Sequence, residues 1–375
     1  MKKLVVLLGA LISGVVSGSQ IELEKVYLHG AHEQAAQRGP QIEEARLVFY
    51  FNQKPKVQVV EKKVAKKQWS SVVVTVPNLG RASGELKTAL EKIQQRTTDQ
   101  YVLKVNQHKN GDMEITVTFD LRKINVAVDE FTSIGTKPGL SITLYHQPTI
   151  DGLKNAQQSI LQVAHHAPTL VIDCGHGGKD TGAVGTHGAV EKDIALRVGK
   201  KLAQVAEKKG YPVTMARSDD SFLELDQRTS CAHNGASCVF ISIHANHAQD
   251  AKAQGIETFY FERALFKPVF QTGGAWSADI MSDNLGVLSK QCADEIHKHL
   301  LSAAHSYYPQ AVDRTVKKAC SQVLMGAFVP AVLVELGFLS HPVEESYLIN
   351  DTYLDIIVAG IMSGIDSFVK GSNRG

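Results

Sequence analysis

Four side chains in the second half of the sequence are of the types that hold a metal or move a proton: His176, Glu191, His244 and Glu335. His176 follows the apolar run Leu170-Val171-Ile172, His244 closes the run Val239 to Ile243, and Glu335 closes the run Ala331 to Val334. Glu191 opens an amphipathic stretch, where helix N–H groups and the dipole favour a carboxylate. Two neutral imidazoles and one carboxylate form a catalytic zinc set with a fourth position left open. His176, Glu191 and His244 are therefore the expected ligands of one Zn2+ per chain. Zinc lowers the pKa of a bound water from about 15.7 towards about 7 and polarises a carbonyl oxygen. A carboxylate outside the ligand set is then wanted as general base and acid, and Glu335 fits that role. Taken singly, a histidine at a strand end is more often a hydrogen-bonded structural residue, and Glu191 a charge at a helix start. Glu335 is harder to dismiss, because burying an unpaired carboxylate costs several kcal/mol; the four together carry the reading.

The elements around them alternate. A helix starts at Glu191, with Ile194, Val198, Leu202 and Val205 on one face and Gly210 as its stop. Short apolar strands separated by amphipathic helices predict an α/β domain over 169–370, with a mostly parallel sheet flanked by helices. In open sheets of this kind ligands bind beyond the carboxyl ends of the strands. Residues 20–146 read differently. Met113, Ile115, Val117, Phe119 and Leu121 alternate with polar residues, the period of a half-buried strand. Leu47 to Phe51, Val72 to Val76, Tyr101 to Val105 and Leu140 to Tyr145 are similar, and Leu86, Leu90 and Ile93 have helical spacing. The expectation is a small β-rich domain preceding the α/β one, with 147–168 as linker.

The chain has 375 residues, 40 Lys+Arg against 38 Asp+Glu, 43% hydrophobic residues and 5 cysteines. That length suits about two domains, and the cysteines are too few for a disulfide scaffold. A net charge of +2 without a basic stripe argues against nucleic acid as a partner. Lys2 and Lys3 precede an apolar run from Leu4 to Val16 and the small residues Ser17 and Gly18. This is a secretory signal pattern over 1–18, too short to span a bilayer, which needs about 20 residues. No second apolar segment of spanning length is expected, so the mature chain reads as exported, without a membrane span. Cys231 and Cys238 are close enough in sequence to pair.

The segments TLVIDCGHGGKDTGA with GAVEKD, ARSDDSFLELDQR, FISIHAN and PAVLVELGFLSH, in this order and spacing, resemble the zinc-dependent N-acetylmuramoyl-L-alanine amidases of the bacterial cell wall over roughly residues 168 to 368. Position by position, the resemblance implies His176, Glu191 and His244 on zinc and Glu335 in catalysis. The implied reaction is hydrolysis of the amide between N-acetylmuramic acid and the L-alanine of the stem peptide, in wall remodelling and daughter-cell separation, so peptidoglycan is the implied partner. The first domain resembles the AMIN-like targeting domain of periplasmic amidases, through Arg46-Leu47-Val48-Phe49 and Thr118-Phe119-Asp120-Leu121.

This chain departs from the pattern at Cys174, Thr181, His233 and His341, none of them an assigned ligand; Cys174 is expected to turn its thiol away from the metal. His187 and His247 lie near the ligands in sequence and could touch substrate. Some relatives carry an inserted helix that blocks the metal until a partner protein removes it. Here Glu262 to Ser282 is short and interrupted by Pro268 and Gly273-Gly274. Tight autoinhibition is therefore not expected, and an activator protein stays a candidate partner. Two rival readings are a zinc peptidase acting on stem peptides and a non-catalytic peptidoglycan-binding protein.

Overall fold

The structure is a computed structural model and describes residues 21, 23–30, 43–63, 69–77, 79, 101–120, 124–132, 138–146, 168–234, 238–262, 278–327 and 329–372. The expected signal segment, the helix near 85–94, nearly all of the linker and most of the 262–282 insert lie outside these residues. The chain divides into two compact units.

The first unit contains strands β1 (Leu23–Gly30), β2 (Glu43–Phe51), β3 (Gln58–Lys63), β4 (Trp69–Val76), β5 (Tyr101–Gln107), β6 (Met113–Asp120), β7 (Ile124–Thr132) and β8 (Pro138–His146). They form two four-stranded sheets, β1-β2-β8-β7 and β3-β4-β6-β5, antiparallel throughout. Both sheets feed one core: Leu47, Phe49 and Phe51 from one meet Val72, Ile115 and Phe119 from the other. Period-two alternation gave away the strands whose apolar side faces that core. β1 and β3, less regular in polarity, were not anticipated, nor was β7, although its Ile124, Val126 and Val128 alternate.

The second unit contains β9 (Thr169–Cys174), α1 (Glu191–Lys208), β10 (Val213–Met215), α2 (Leu225–Ser230), β11 (Cys238–Asn246), β12 (Ile256–Tyr260), α3 (Ala278–Tyr307), β13 (Asp313–Lys318), α4 (Gln322–Gly326), β14 (Ala331–Phe338), α5 (Pro342–Leu348) and α6 (Asp351–Ser372). Its sheet has the order β10-β9-β11-β14-β12-β13. All neighbours run parallel except β12, which is antiparallel to β14. Alternate residues serve opposite faces. Ile172, Ile241 and Val334 pack with Val198 of α1, Ile296 of α3 and Ile357 of α6. Val171, Phe240 and Leu333 pack on the other face with Leu324 of α4. Each such aliphatic or aromatic burial is worth roughly 1.5–3 kcal/mol.

α6 corrects the expectation that no further spanning segment follows the N-terminal one. Residues Asp351–Gly371 are long and apolar enough to cross a membrane, yet 61% of that window is buried inside the fold. Two of its glycines bring it against α3: a Cβ on Gly364 would stand 2.4 Å from the Ile296 Cα. A helix buried on several sides carries apolar residues all round.

Candidate metal centre

β9 ends at Cys174, and the chain then turns through Gly175 and His176. His176 has φ 59, a left-handed conformation unusual for a side-chain-bearing residue. The turn is held by reciprocal backbone bonds between Gly177 and Asp180, 2.8 and 3.1 Å, and by the Arg228 Nη2, which donates to the His176 carbonyl at 2.7 Å. Arg228 Nη1 also donates to Asp173 at 2.8 Å, both side chains being buried, and Asp173 accepts from Ser242 Oγ as well. Arg217 donates to the carbonyls of Cys174, Gly175 and Lys192, each at 2.8 Å. Two arginines therefore fix the backbone from Cys174 to His176.

The structure brings three of the predicted residues together: His176, Glu191 and His244 each offer one ligand atom, all within 4.8 Å of one another. Glu191 Oε1 lies 3.1 Å from His176 Nε2 and 2.9 Å from His244 Nδ1. Backbone N–H groups of Ala183 and Ala245 donate to the same carboxylate, at 2.8 and 3.2 Å. Burial alone would raise the Glu191 pKa, but hydrogen bonds from His176 and His244 outweigh it and hold the carboxyl far below the ordinary range. Burial likewise opposes a proton on His176, and Glu191 with Asp180 reverses the sign and raises its pKa. The field that favours a proton there favours any cation among the three ligand atoms. Asp180 Oδ2 sits 2.9 Å from His176 Nδ1, so Nε2 is the nitrogen turned to the cluster, with a carboxylate behind the ring as metal-binding histidines usually have. The cluster also needs two missing side chains. A Cβ on Gly175 would stand 2.4 Å from the His244 ring, and one on Gly182 would stand 2.5 Å from Glu191 Oε2.

Glu335 is the register partner of His244 across β11 and β14 and projects from the same face. It is buried, and its Oε2 has no hydrogen-bond partner among the described residues. Burial, with Glu191 and Glu257 adding their charges, pushes its pKa well above the carboxylate range. One expectation needs correction: His244 and Glu335 do not end their strands, which continue to Asn246 and Phe338. Apolar runs stop where the site begins, whereas backbone pairing carries on.

Among the described residues no other histidine belongs to the cluster. His187 is exposed and binds Glu345, and His247 is exposed at the end of β11. His341 caps α5, its ring accepting from Glu344 N; the His233 side chain lies outside the described residues. Cys174 points at Gly199 of α1, where a Cβ would meet its Sγ at 2.3 Å. Burial pushes that thiol up to about 12, so it is no thiolate ligand. Cys174, Cys231 and Cys292 are free thiols.

Three residues that hold the site were not singled out from sequence: Arg217, Arg228 and Glu345. Glu345 is fully buried as a side chain and accepts from the backbone N–H groups of His187 and Ala189 and from Thr186 Oγ1. It thereby ties down the loop that leads into Glu191. The available signal was charge set among apolar residues, as in Asp173 within LVIDC, since buried charge demands a partner.

The fold and site define an α/β protein with a two-histidine, one-carboxylate centre beside a buried, unpartnered glutamate. Residues 170–367 match the N-acetylmuramoyl-L-alanine amidase family, and the chain belongs to that family. It is similar to the uncharacterized protein YqiI of Bacillus subtilis, 34% identical over 200 residues that cover 53% of this chain and 84% of that one. It is also similar to N-acetylmuramoyl-L-alanine amidase AmiA of Escherichia coli, 28% identical over 227 residues, 53% of this chain and 75% of that one. Among solved structures, the catalytic domain of CwlV, an N-acetylmuramoyl-L-alanine amidase from Bacillus (Paenibacillus) polymyxa, aligns at 32% identity with a TM-score of 0.45, covering 54% of this chain and 97% of that one.

Proposed function

We propose that this chain is a zinc-dependent hydrolase that cleaves the amide between N-acetylmuramic acid and L-alanine in peptidoglycan. The observation that carries the reading is the His176–Glu191–His244 cluster with the orphaned Glu335 carboxylate in register beside it. Family membership supplies the substrate class. The donor set fits Zn2+, since two imidazoles and a carboxylate leave one position open. When bound, zinc would supply Lewis-acid polarisation of a carbonyl and an acidified water.

The remaining steps belong to the protein. Asp180 holds the Nδ1 proton of His176, so that the Nε2 lone pair faces the cluster. Glu335, unpartnered and with a raised proton affinity, accepts a proton from the attacking water. It then returns that proton to the amide nitrogen as the C–N bond breaks, so the leaving peptide departs as a neutral amine.

Residues 1–18 would export the chain to the periplasm, and 20–146 would act as an AMIN-like domain that holds it on the wall, joined through 147–168 to the catalytic domain at 169–370. The β-rich first unit, whose described residues contain no candidate metal cluster, supports that division of labour. The setting would be wall remodelling and daughter-cell separation, with an activator protein as a further partner. The test is digestion of purified peptidoglycan followed by mass spectrometry. Intact stem peptides beginning with L-alanine are expected, abolished by a chelator and restored by Zn2+. Products cut within the stem would assign a peptidase instead, and no release would leave only binding.

A further inference from the structure

The row of side chains that carries His244 and Glu335 continues across the sheet. Glu335 is the register partner of Glu257 on β12, so the two carboxylates share a face, and Glu257 is buried. On the next strand the register slips: Ile256 pairs with Asp313 but Thr258 pairs with Val316. Glu257 thus faces two residues, Arg314 and Thr315, in a β-bulge. Thr315, although β-branched, has φ 71, a conformation such residues avoid, and its N–H is held by Asp313 Oδ1 at 2.7 Å. Bulges re-aim a side chain, and here the side chain is Arg314. Its stem passes over Gly255, where a Cβ would stand 2.9 Å from the Arg314 Cγ.

Arg314 Nε donates to Glu257 Oε2 at 3.0 Å, and the guanidinium carbon lies 4.8 Å from the Phe338 ring centre. Lys317 Nζ binds the same oxygen, while Asn246 Nδ2 donates to Oε1 at 2.6 Å. Glu257 is thus held by three donors, and the terminal nitrogens of Arg314 have no partner among the described residues. An arginine serving only as a counterion commonly makes two parallel bonds to its carboxylate. Arg314 makes one and keeps its fork free on a side chain that is 35% exposed. Arg314 and Lys317 both bind Glu257, and Glu344 lies near enough to feel the Arg314 charge.

We propose that Arg314 is a substrate-binding residue that clamps a carboxylate on the peptide side of the scissile amide; this rests on the amidase reading above and names the group that reading recognises. The fork lies over Phe338, three residues or about 10 Å along β14 from Glu335, and two or three extended peptide residues span roughly 7–10 Å. A carboxylate on the second or third residue of the stem reaches the fork when the amide sits over Glu335. The planar guanidinium matches it with two parallel bonds, and Glu257 and Phe338 hold the plane in place.

The test is calorimetric binding of short L-alanyl peptides, ending in a free carboxylate or in the carboxamide, to the full-length chain. The carboxylate form is expected to bind at least about tenfold more tightly, with Arg314→Gln reducing the preference to under about twofold and Arg314→Lys keeping part of it. Equal affinities for the wild-type chain, or a preference that survives in Arg314→Gln, would overturn the proposal. If Arg314→Gln unfolds, the wild-type comparison and Arg314→Lys decide. A carboxylate preference without amide cleavage would refute the amidase reading while leaving this site in place.

Discussion

The two units bury their strands in different ways. In the first, the buried polar side chains among the described residues are three serines and Asp120, and the core is Leu, Val, Ile, Phe, Tyr and Met. In the second, Asp173, Glu191, Arg217, Arg228, Glu257, Glu335, Glu344 and Glu345 are all buried; Glu335 and Glu257 lie in one row across the sheet with His244, and Glu191 binds that histidine. Buried charge without a partner is costly, and most of these groups are paired: Asp173 with Arg228, Glu257 with Arg314, Glu345 with Thr186 and the Ala189 N–H. The first unit is built by packing. The second spends part of its packing on a polarised site, and one of its carboxylate oxygens, Glu335 Oε2, has no partner among the described residues.

That contrast can be broken by substitution. The largest effect is expected from Glu335→Gln: turnover on peptidoglycan should fall by about 10²–10⁴-fold as proton transfer fails, while bound zinc, measured by elemental analysis, and thermal stability stay near wild type. Near-normal turnover would remove Glu335 from the chemistry and erase the difference between the units. Phe119→Ala should show the reverse pattern. Phe119 is fully buried, and its truncation should cost about 3–5 kcal/mol in denaturant unfolding of the first unit. Cleavage of a short soluble muramoyl peptide should be unchanged, and a parallel loss would mean that the units are not separable. The smallest effect is confined to acid. Hydrogen bonds from Thr186, Ala189 and His187 overcome burial and hold Glu345 below the ordinary range. Its contribution is therefore complete above its unfolded value of about 4.3 and is lost as pH falls through the lower folded value. The stability gap between wild type and Glu345→Gln should be flat near neutrality and narrow below about pH 4; a gap independent of pH would show that the carboxylate charge is not what ties down the loop.

What could be read from the chain follows the range of the interactions. β4, β6 and the helix at Glu191 were legible because alternation and helical spacing are local signals. His176, Glu191, His244 and Glu335 were legible because each is a chemically able residue at the edge of an apolar run. The continuation of β11 and β14 past His244 and Glu335 was not, since it depends on pairing with neighbours rather than on side-chain polarity. The apolar character of α6 made sense only once α3 was seen against Gly360 and Gly364.

By itself the sequence determined the division into a β-rich and an α/β half, the residue types available for a metal and a proton, and the family to which the second half belongs, all of which rest on short-range pattern. Only the tertiary structure decided which histidine nitrogens face Glu191, that Arg217 and Arg228 hold the strained turn at His176, and that Arg314 stands two strands from Glu335 with its fork free. Those facts depend on strand order and register, which bring together residues as far apart in the chain as His244 and Glu335. No local spacing encodes such neighbours, because the sheet alone sets them side by side.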